Sequence, residues 1–312
     1  MSNITSYVVT QATGGQSRWV ITHLLQAGAK VHAVVRDLKK ELPAVLKLDG
    51  VTLFQGDSTN VDDIYKAAQG CKGVFLNTYP YPGLEAQQAK AIVEAARKAG
   101  IETIVASSTS GTDDKSFWTS NAAKAIMVDG YYASKNELEE TVRGGGFQFW
   151  TILRPAVIHH DFFSSHLAEN YPRLSTSGEI DSLLTPGNKM TFTDASDVGK
   201  YAAAALLDPA RFSGQAIDLS HELFDFDEVS TIINRISGKH VKAVQRTPEE
   251  LQAAGNFVFG QVFQLLANAR DFTPNSKAAS AVQAKFGISF TPLEDSLMRD
   301  KALLLETLQN VE

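Results

Sequence analysis

The feature that most constrains this chain lies near its start, where Val8-Val9-Thr10-Gln11-Ala12-Thr13-Gly14-Gly15-Gln16-Ser17 runs into the apolar-periodic stretch from Trp19 to Leu25. It reads as a strand, a tight turn and a helix. A helix start presents backbone N–H groups without intrahelical acceptors and the positive end of the helix dipole, and glycine there lets a phosphate approach the backbone closely. By that standard the turn is irregular. A dinucleotide loop usually carries three spaced glycines, whereas Gln11 and Ser17 stand where the outer two would be and only Gly14 is in register. Taken alone, the segment is equally a plain strand-to-helix connection. As a phosphate loop, its contacts would come from Thr10, Gln11, Thr13, Gly14, Gly15 and Gln16.

About 20 residues further on, such folds select the ribose end of their ligand. The first helix ends at Gly28, Val31 to Val35 reads as a buried strand, and Arg36 follows. A guanidinium fork matches the 2′-phosphate of NADP, while an acidic residue at this place would hold the ribose hydroxyls of NAD. NADP(H) is therefore favoured, with NAD(H) left open by the neighbouring Asp37. The bland reading of Arg36 is a solvated charge at a strand end.

Strands and helices alternate without interruption, the pattern of an α/β doubly wound parallel sheet. Val51 to Asp57, Gly73 to Thr78 and Glu102 to Ser107 read as strands; Val61 to Ala68 and Leu84 to Lys98 read as helices. Each strand ends in polar residues. Ligands lie beyond the carboxyl ends of such strands, so Asp57 and Ser58, Asn77, Thr78 and Tyr79, and Ser107 and Ser108 would face one crevice. They are also ordinary turn starters.

These residues carry a resemblance. Thr10 to Gln16, the ending Val34-Val35-Arg36, Leu53 to Asp57, Phe75 to Thr78 and Thr151-Ile152-Leu153-Arg154-Pro155 together are similar to the NmrA-like family of atypical short-chain dehydrogenase/reductases. The likeness continues in Phe192-Thr193-Asp194 and Asp197-Val198-Gly199 and fades after about residue 240. It implies a Rossmann domain with bound NAD(P) and a smaller C-terminal substrate lobe. The family includes NADPH-dependent reductases as well as redox-sensing regulators that act through protein partners. Gln11-Ala12-Thr13-Gly14 resembles the turn of the regulatory type.

Chemistry can separate those alternatives. In Tyr131-Tyr132-Ala133-Ser134-Lys135, at the start of a helix, Tyr131 and Lys135 are four apart and share a face. A phenol with its ordinary pKa of about 10 is a poor proton shuttle at neutral pH. A nearby ammonium favours phenolate and brings the hydroxyl into a useful range. Ser108 would hold the substrate oxygen, and Tyr132 competes with Tyr131. The pair resembles the YxxxK motif of extended short-chain dehydrogenases, where the tyrosine is the acid/base and the lysine binds ribose. Lys135 also matches the helix lysine of isoflavone-reductase-like relatives. An exposed i,i+4 pair without function is the alternative.

The resemblance carries Pro155, Ala156, Val157 and Ile158 past the nicotinamide, after which His159, Phe162 and Phe163 would begin a substrate wall or simply pack in a core. Adjacent strand residues point oppositely, so His159-His160-Asp161 is not read as a metal site. The domain reading follows. Residues 1–155, rejoined by about 190–235, form the Rossmann domain; residues 156–189 and 236–312 form a mainly helical substrate lobe, with Glu169 to Gly187 as an excursion. Phe257, Phe259, Phe263 and Phe272 either lid the site against water or form plain core.

Composition fits that scheme. The 312 residues, 44% hydrophobic, can bury a large α/β core. Met1 to Tyr7 lacks a basic, hydrophobic leader and no run is long enough to span a membrane. Cys71 is the single cysteine, which excludes an internal disulfide and suits a reducing compartment, expected to be the cytoplasm, or the nucleus for a regulator. A net charge of −6 argues against a broad nucleic-acid surface. The expected partner is a small-molecule substrate, or a transcriptional protein if the chain only senses its dinucleotide.

Overall fold

The computed structural model describes residues 5–163 and 166–312. Residues 1–4, part of the segment read above for a leader, lie outside the described residues, as do 164 and 165. The strands are β1 (Ser6–Val9), β2 (Lys30–Val35), β3 (Val51–Gln55), β4 (Cys71–Leu76), β5 (Thr103–Ser107), β6 (Phe149–Arg154), β7 (Val157–Ile158), β8 (Glu179–Ser182), β9 (Met190–Thr193), β10 (Gln215–Asp218), β11 (Glu222–Phe224) and β12 (Lys242–Gln245). The longer helices are α1 (Gly15–Gln26), α2 (Val61–Ala68), α3 (Leu84–Lys98), α4 (Asp129–Arg143), α5 (Ala195–Leu207), α6 (Phe226–Ser237), α7 (Pro248–Ala253), α8 (Phe259–Ala269), α9 (Thr273–Phe286), α10 (Leu293–Arg299) and α11 (Lys301–Thr307).

The chain forms two compact units. The first comprises Met1–Lys115, Gly130–Pro155 and Ala195–Leu219; the second comprises Ser116–Asp129, Ala156–Asp194 and Ser220–Glu312. In the first, seven parallel strands lie in the order β10-β6-β5-β4-β1-β2-β3, a Rossmann-type doubly wound α/β sheet. The register sets Val8 beside His32 on one side and Val74 on the other. Helices cover both faces, so the inner strands read as near-continuous apolar runs. One face packs Val8, Val74, Ile104 and Ile152 against Ile64, Ile92, Leu138 and Val142, residues contributed by α2, α3 and α4.

On the other face α1 meets α5 so closely that a Cβ on Gly199 would lie 2.7 Å from the Trp19 backbone. Cys71, at the start of β4, is buried with its Sγ 3.3 Å from His32 Nδ1, and burial pushes the thiol up to about 12. The strand order reverses between β1 and β4. In such sheets that is where strand ends open a crevice for a ligand.

The second unit holds two small sheets, β11-β9-β7 and β12-β8. The return to the first unit is narrower than residues 190–235. β9 pairs with β7 and β11, while α6 packs on α10, α11 and β12. The excursion also contains a strand that the sequence hid, because β8 alternates with charge: Glu179 is paired to Arg173 and Lys242, and Asp181 lies 3.3 Å from Arg246. Phe162 stacks on Tyr171 at 4.6 Å between ring centres, beside Phe192. Among the described residues no helix is long and apolar enough to cross a membrane, and no group of three or more His, Cys, Asp or Glu side chains could hold a metal.

Candidate dinucleotide and catalytic site

The turn after β1 is built so that its side chains brace the strands and helix around it. Gly14 is the N-cap of α1 and no side chain caps the first-turn N–H groups. A Cβ on Gly14 would lie 3.2 Å from the Gln11 carbonyl oxygen, whereas one on Gly15 would meet nothing within 4 Å. Gln11 adopts φ 49°, doing the left-handed work that glycine does more cheaply. Ser17 is fully buried; its hydroxyl donates to the Thr10 carbonyl at 2.9 Å and accepts from Asn77 Nδ2 at 3.1 Å. Thr10 Oγ1 donates to the Asn77 carbonyl and accepts from the Asn77 N–H, each at 2.9 Å. Ser107 Oγ donates to Gln16 Oε1 at 2.6 Å. Thr10, Ser17 and Asn77 thus tie β1, α1 and β4 together at the switch point.

Several residues expected to touch a cofactor also have partners within the protein. The Asp57 carboxylate accepts from the Thr59 N–H at 2.8 Å and hydroxyl at 2.7 Å, which together with the Arg36 charge hold it below the usual carboxylate range. Asp57 thus stabilises its own turn. Ser58 is buried, Thr78 Oγ1 donates to Glu85 at 2.8 Å, and the Tyr79 N–H donates to Gln88 while its ring stays exposed. Arg36 is exposed at the end of β2, and Thr13 is exposed in the turn. The open glycine turn, the uncapped helix start and this guanidinium fit the phosphates of a dinucleotide.

Helix α4 carries the second cluster. Tyr131 is half-buried, and Lys135 Nζ lies 5.5 Å from its ring centre, as i,i+4 spacing demands. Tyr132 does not compete: it is 1% exposed and its hydroxyl donates to the Ser110 carbonyl at 3.2 Å. Lys135 is itself buried and donates at 2.7 Å to Glu85, a fully buried carboxylate on α3. Burial works against its ammonium, but Glu85 and then Tyr131 hold the charge and raise its pKa. One turn on, Glu139 binds Arg154 through two bonds of 2.9 and 2.8 Å. Ser108, expected to hold a substrate oxygen, is buried, with its hydroxyl 3.3 Å from Thr112 Oγ1.

Beyond β6, the Pro155 carbonyl accepts from the Ser110 N–H, the Ala156 N–H donates to Thr193 Oγ1 at 2.9 Å, and Val157 and Ile158 form β7. His159 and Phe162 are buried inside the second unit and Phe163 is 3% exposed, facing His160; core packing accounts for all three. His159 Nδ1 lies 3.6 Å from Asp194, whose carboxyl stays well below its ordinary range: burial would raise it, but His159, Ser296 and Arg299 outweigh that. Sequence reading missed Glu85. A signal was present, since Glu85 lies on the apolar stripe of α3 with Ala89, Ile92 and Ala96.

The pattern described as the NmrA-like family matches residues 5–297. The chain is 24% identical over 272 residues to the NmrA-like family domain-containing oxidoreductase ptmS of Penicillium ochrochloron, covering 80% of this chain and 79% of the relative. Among solved structures, it resembles Citrobacter sp. triphenylmethane reductase complexed with NADP(H), with a TM-score of 0.72, 22% identity and coverage of 94% and 99% of the two chains. It also resembles NmrA, a negative transcriptional regulator in complex with NAD, with a TM-score of 0.74, 20% identity and coverage of 99% and 98%. At these identities the structural likeness establishes the fold.

Proposed function

The chain belongs to the NmrA-like family, and from that premise we propose that it is an NADP(H)-dependent oxidoreductase that reduces a small organic carbonyl, imine or enone. The single observation that carries the reading is the Lys135 ammonium held 5.5 Å from the half-buried Tyr131 ring. Bound NADPH would supply the hydride. Every other task falls to the chain. The start of α1, with Gly14 and Gly15, would hold the pyrophosphate, and Arg36 the 2′-phosphate. Tyr131 would donate the proton that completes the reduction, with Lys135, paired to Glu85, beside it on the same helix face. Glu139 and Arg154 join α4 to the sheet and fix the azimuth of the helix that presents Tyr131.

The test is consumption of NADPH against a panel of aldehydes, quinones, enones and imines, by wild type and Tyr131→Phe. A loss of about 10²-fold or more in kcat/KM with unchanged NADPH affinity is expected. Binding of NADPH without turnover of any panel member sinks the enzyme reading. A second reading, a dinucleotide sensor that acts on a transcriptional partner, is favoured by one observation: Lys135 is bonded to a buried carboxylate. That reading requires NADP⁺ and NADPH to bind with different affinities, because equal affinity shifts no equilibrium.

A further inference from the structure

We propose that Glu85 is a positioning residue of this site: its buried carboxylate seats the Lys135 ammonium and, by cancelling most of that charge as felt at Tyr131, sets the pH at which the Tyr131–Lys135 pair gives up its first proton. The inference rests on the reading of Tyr131 as the proton donor and adds how its acidity is governed.

A carboxylate taken out of water is costly unless it is paired and hydrogen-bonded. Glu85, the second residue of α3, is fully buried, and its two oxygens accept three hydrogen bonds. Thr78 Oγ1 at 2.8 Å and Lys135 Nζ at 2.7 Å donate to Oε1; Ser134 Oγ at 2.8 Å donates to Oε2. The donors come from the end of β4 and from consecutive residues of α4. Glu85 therefore joins three elements at the point where α4 presents Tyr131.

Seen from the Tyr131 ring, 5.5 Å from Nζ, two opposite charges 2.7 Å apart act as a dipole rather than as a lone cation. The other charged groups facing the pair are spoken for. Glu139, on the same helix, is bonded to Arg154 of β6 and to Arg143, and Arg154 also reaches Asp113 at 3.4 Å. Removing the charge of Glu85 weakens proton binding at Lys135 and at Tyr131 alike, so the first proton of the coupled pair leaves at lower pH whichever group releases it.

The experiment is a pH titration without substrate, following the near-ultraviolet phenolate band of Tyr131, defined by subtraction of matching Tyr131→Phe spectra, together with the Lys135 ε-carbon resonance. In Glu85→Gln, which keeps the shape of the side chain, the first ionisation of the pair should move down by about one pH unit or more, a tenfold change in proton affinity. An unchanged first ionisation in folded Glu85→Gln overturns the proposal. The double variant Glu85→Gln/Lys135→Met supplies an independent arm. Because the native pair is nearly neutral at Tyr131, the double variant should titrate Tyr131 close to wild type; a rise of about one unit or more would show Lys135 acting unquenched and would also overturn it. Neither arm needs turnover. A protein that reduces nothing yet shows these shifts refutes the oxidoreductase reading and leaves the assignment of Glu85 standing.

Discussion

The turn after β1 and helix α4 belong to the same nucleotide-binding unit, yet they prepare for a ligand by opposite means. In the turn, neutral side chains satisfy each other: Ser17, Thr10 and Asn77 close a small hydrogen-bonded hub, and the backbone of Gly14 and Gly15 is left to meet a phosphate. On α4 the candidate side chains are charged, and each has a buried counter-ion: Glu85 for Lys135, Arg154 for Glu139. Recognition by backbone tolerates changes of side chain, provided the hub closes. Recognition by buried charge tolerates none that leave a partner alone.

That contrast can be broken most severely on α4. Lys135→Met leaves Glu85 buried without its counter-ion and should cost about 3–5 kcal/mol in chemical denaturation; a loss within a few tenths would show that the pair carries no structural weight. Glu139→Gln should cost roughly 3 kcal/mol at neutral pH, with a pH dependence that identifies the cause. Burial alone would raise the Glu139 carboxyl, but the hydrogen bonds and charge of Arg154, with Ser108 and Arg143, hold it below its ordinary value. A depressed folded pKa contributes stability that is complete above the unfolded glutamate value of about 4.3 and is lost as pH falls through the folded one. The gap between wild type and variant should therefore narrow on acidification, and a gap that stays constant would assign the loss to packing.

The turn should yield smaller effects. Arg36→Ala is expected to weaken NADP(H) by about tenfold or more while leaving NAD(H) nearly unchanged, measured by direct binding; equal weakening of both removes Arg36 from the 2′-phosphate. Ser17→Ala should cost about 1–3 kcal/mol of stability through the lost bonds to Thr10 and Asn77. Gly15→Ala sharpens the comparison from the other side. Its methyl meets nothing within 4 Å, so stability should hold or rise by up to about 1 kcal/mol, while dinucleotide affinity falls because the methyl stands over the uncapped helix start.

What was legible in the sequence follows the same division. β1 to β5 and helices α1 to α4 were readable because strands buried on both faces are apolar runs and the helices between them repeat with helical period. The helix over Val61–Ala68 was bounded by its cap, Asn60, which accepts from the N–H groups of Asp62 and Asp63. The spacing of Tyr131 and Lys135 gave their neighbourhood correctly, since one helix turn determines it. The partner of Lys135 was not legible in that spacing, because Glu85 stands 50 residues away and meets it only when α3 and α4 pack. Polar strand ends are ambiguous in sequence for a related reason: Asp57 and Thr78 have the chemistry to bind a ligand, and each also has a local partner, Thr59 and Glu85. β8 was missed because its charges are neutralised by Arg173 and by Lys242 and Arg246, the last two more than 60 residues away in sequence.

Cys71 draws a boundary around how this chain can respond to oxidants. Its thiol is enclosed beside His32 and pushed up to about 12, so at neutral pH almost none of it is the thiolate that peroxides and disulfides attack. Within these 312 residues there is no second cysteine to resolve a sulfenic acid. If the glycine turn holds a dinucleotide as proposed, the ratio of its oxidised and reduced forms is a signal that needs no thiol. An alkylating reagent that leaves native Cys71 unmodified while NADP⁺ and NADPH still compete for the turn would show the two channels to be separate.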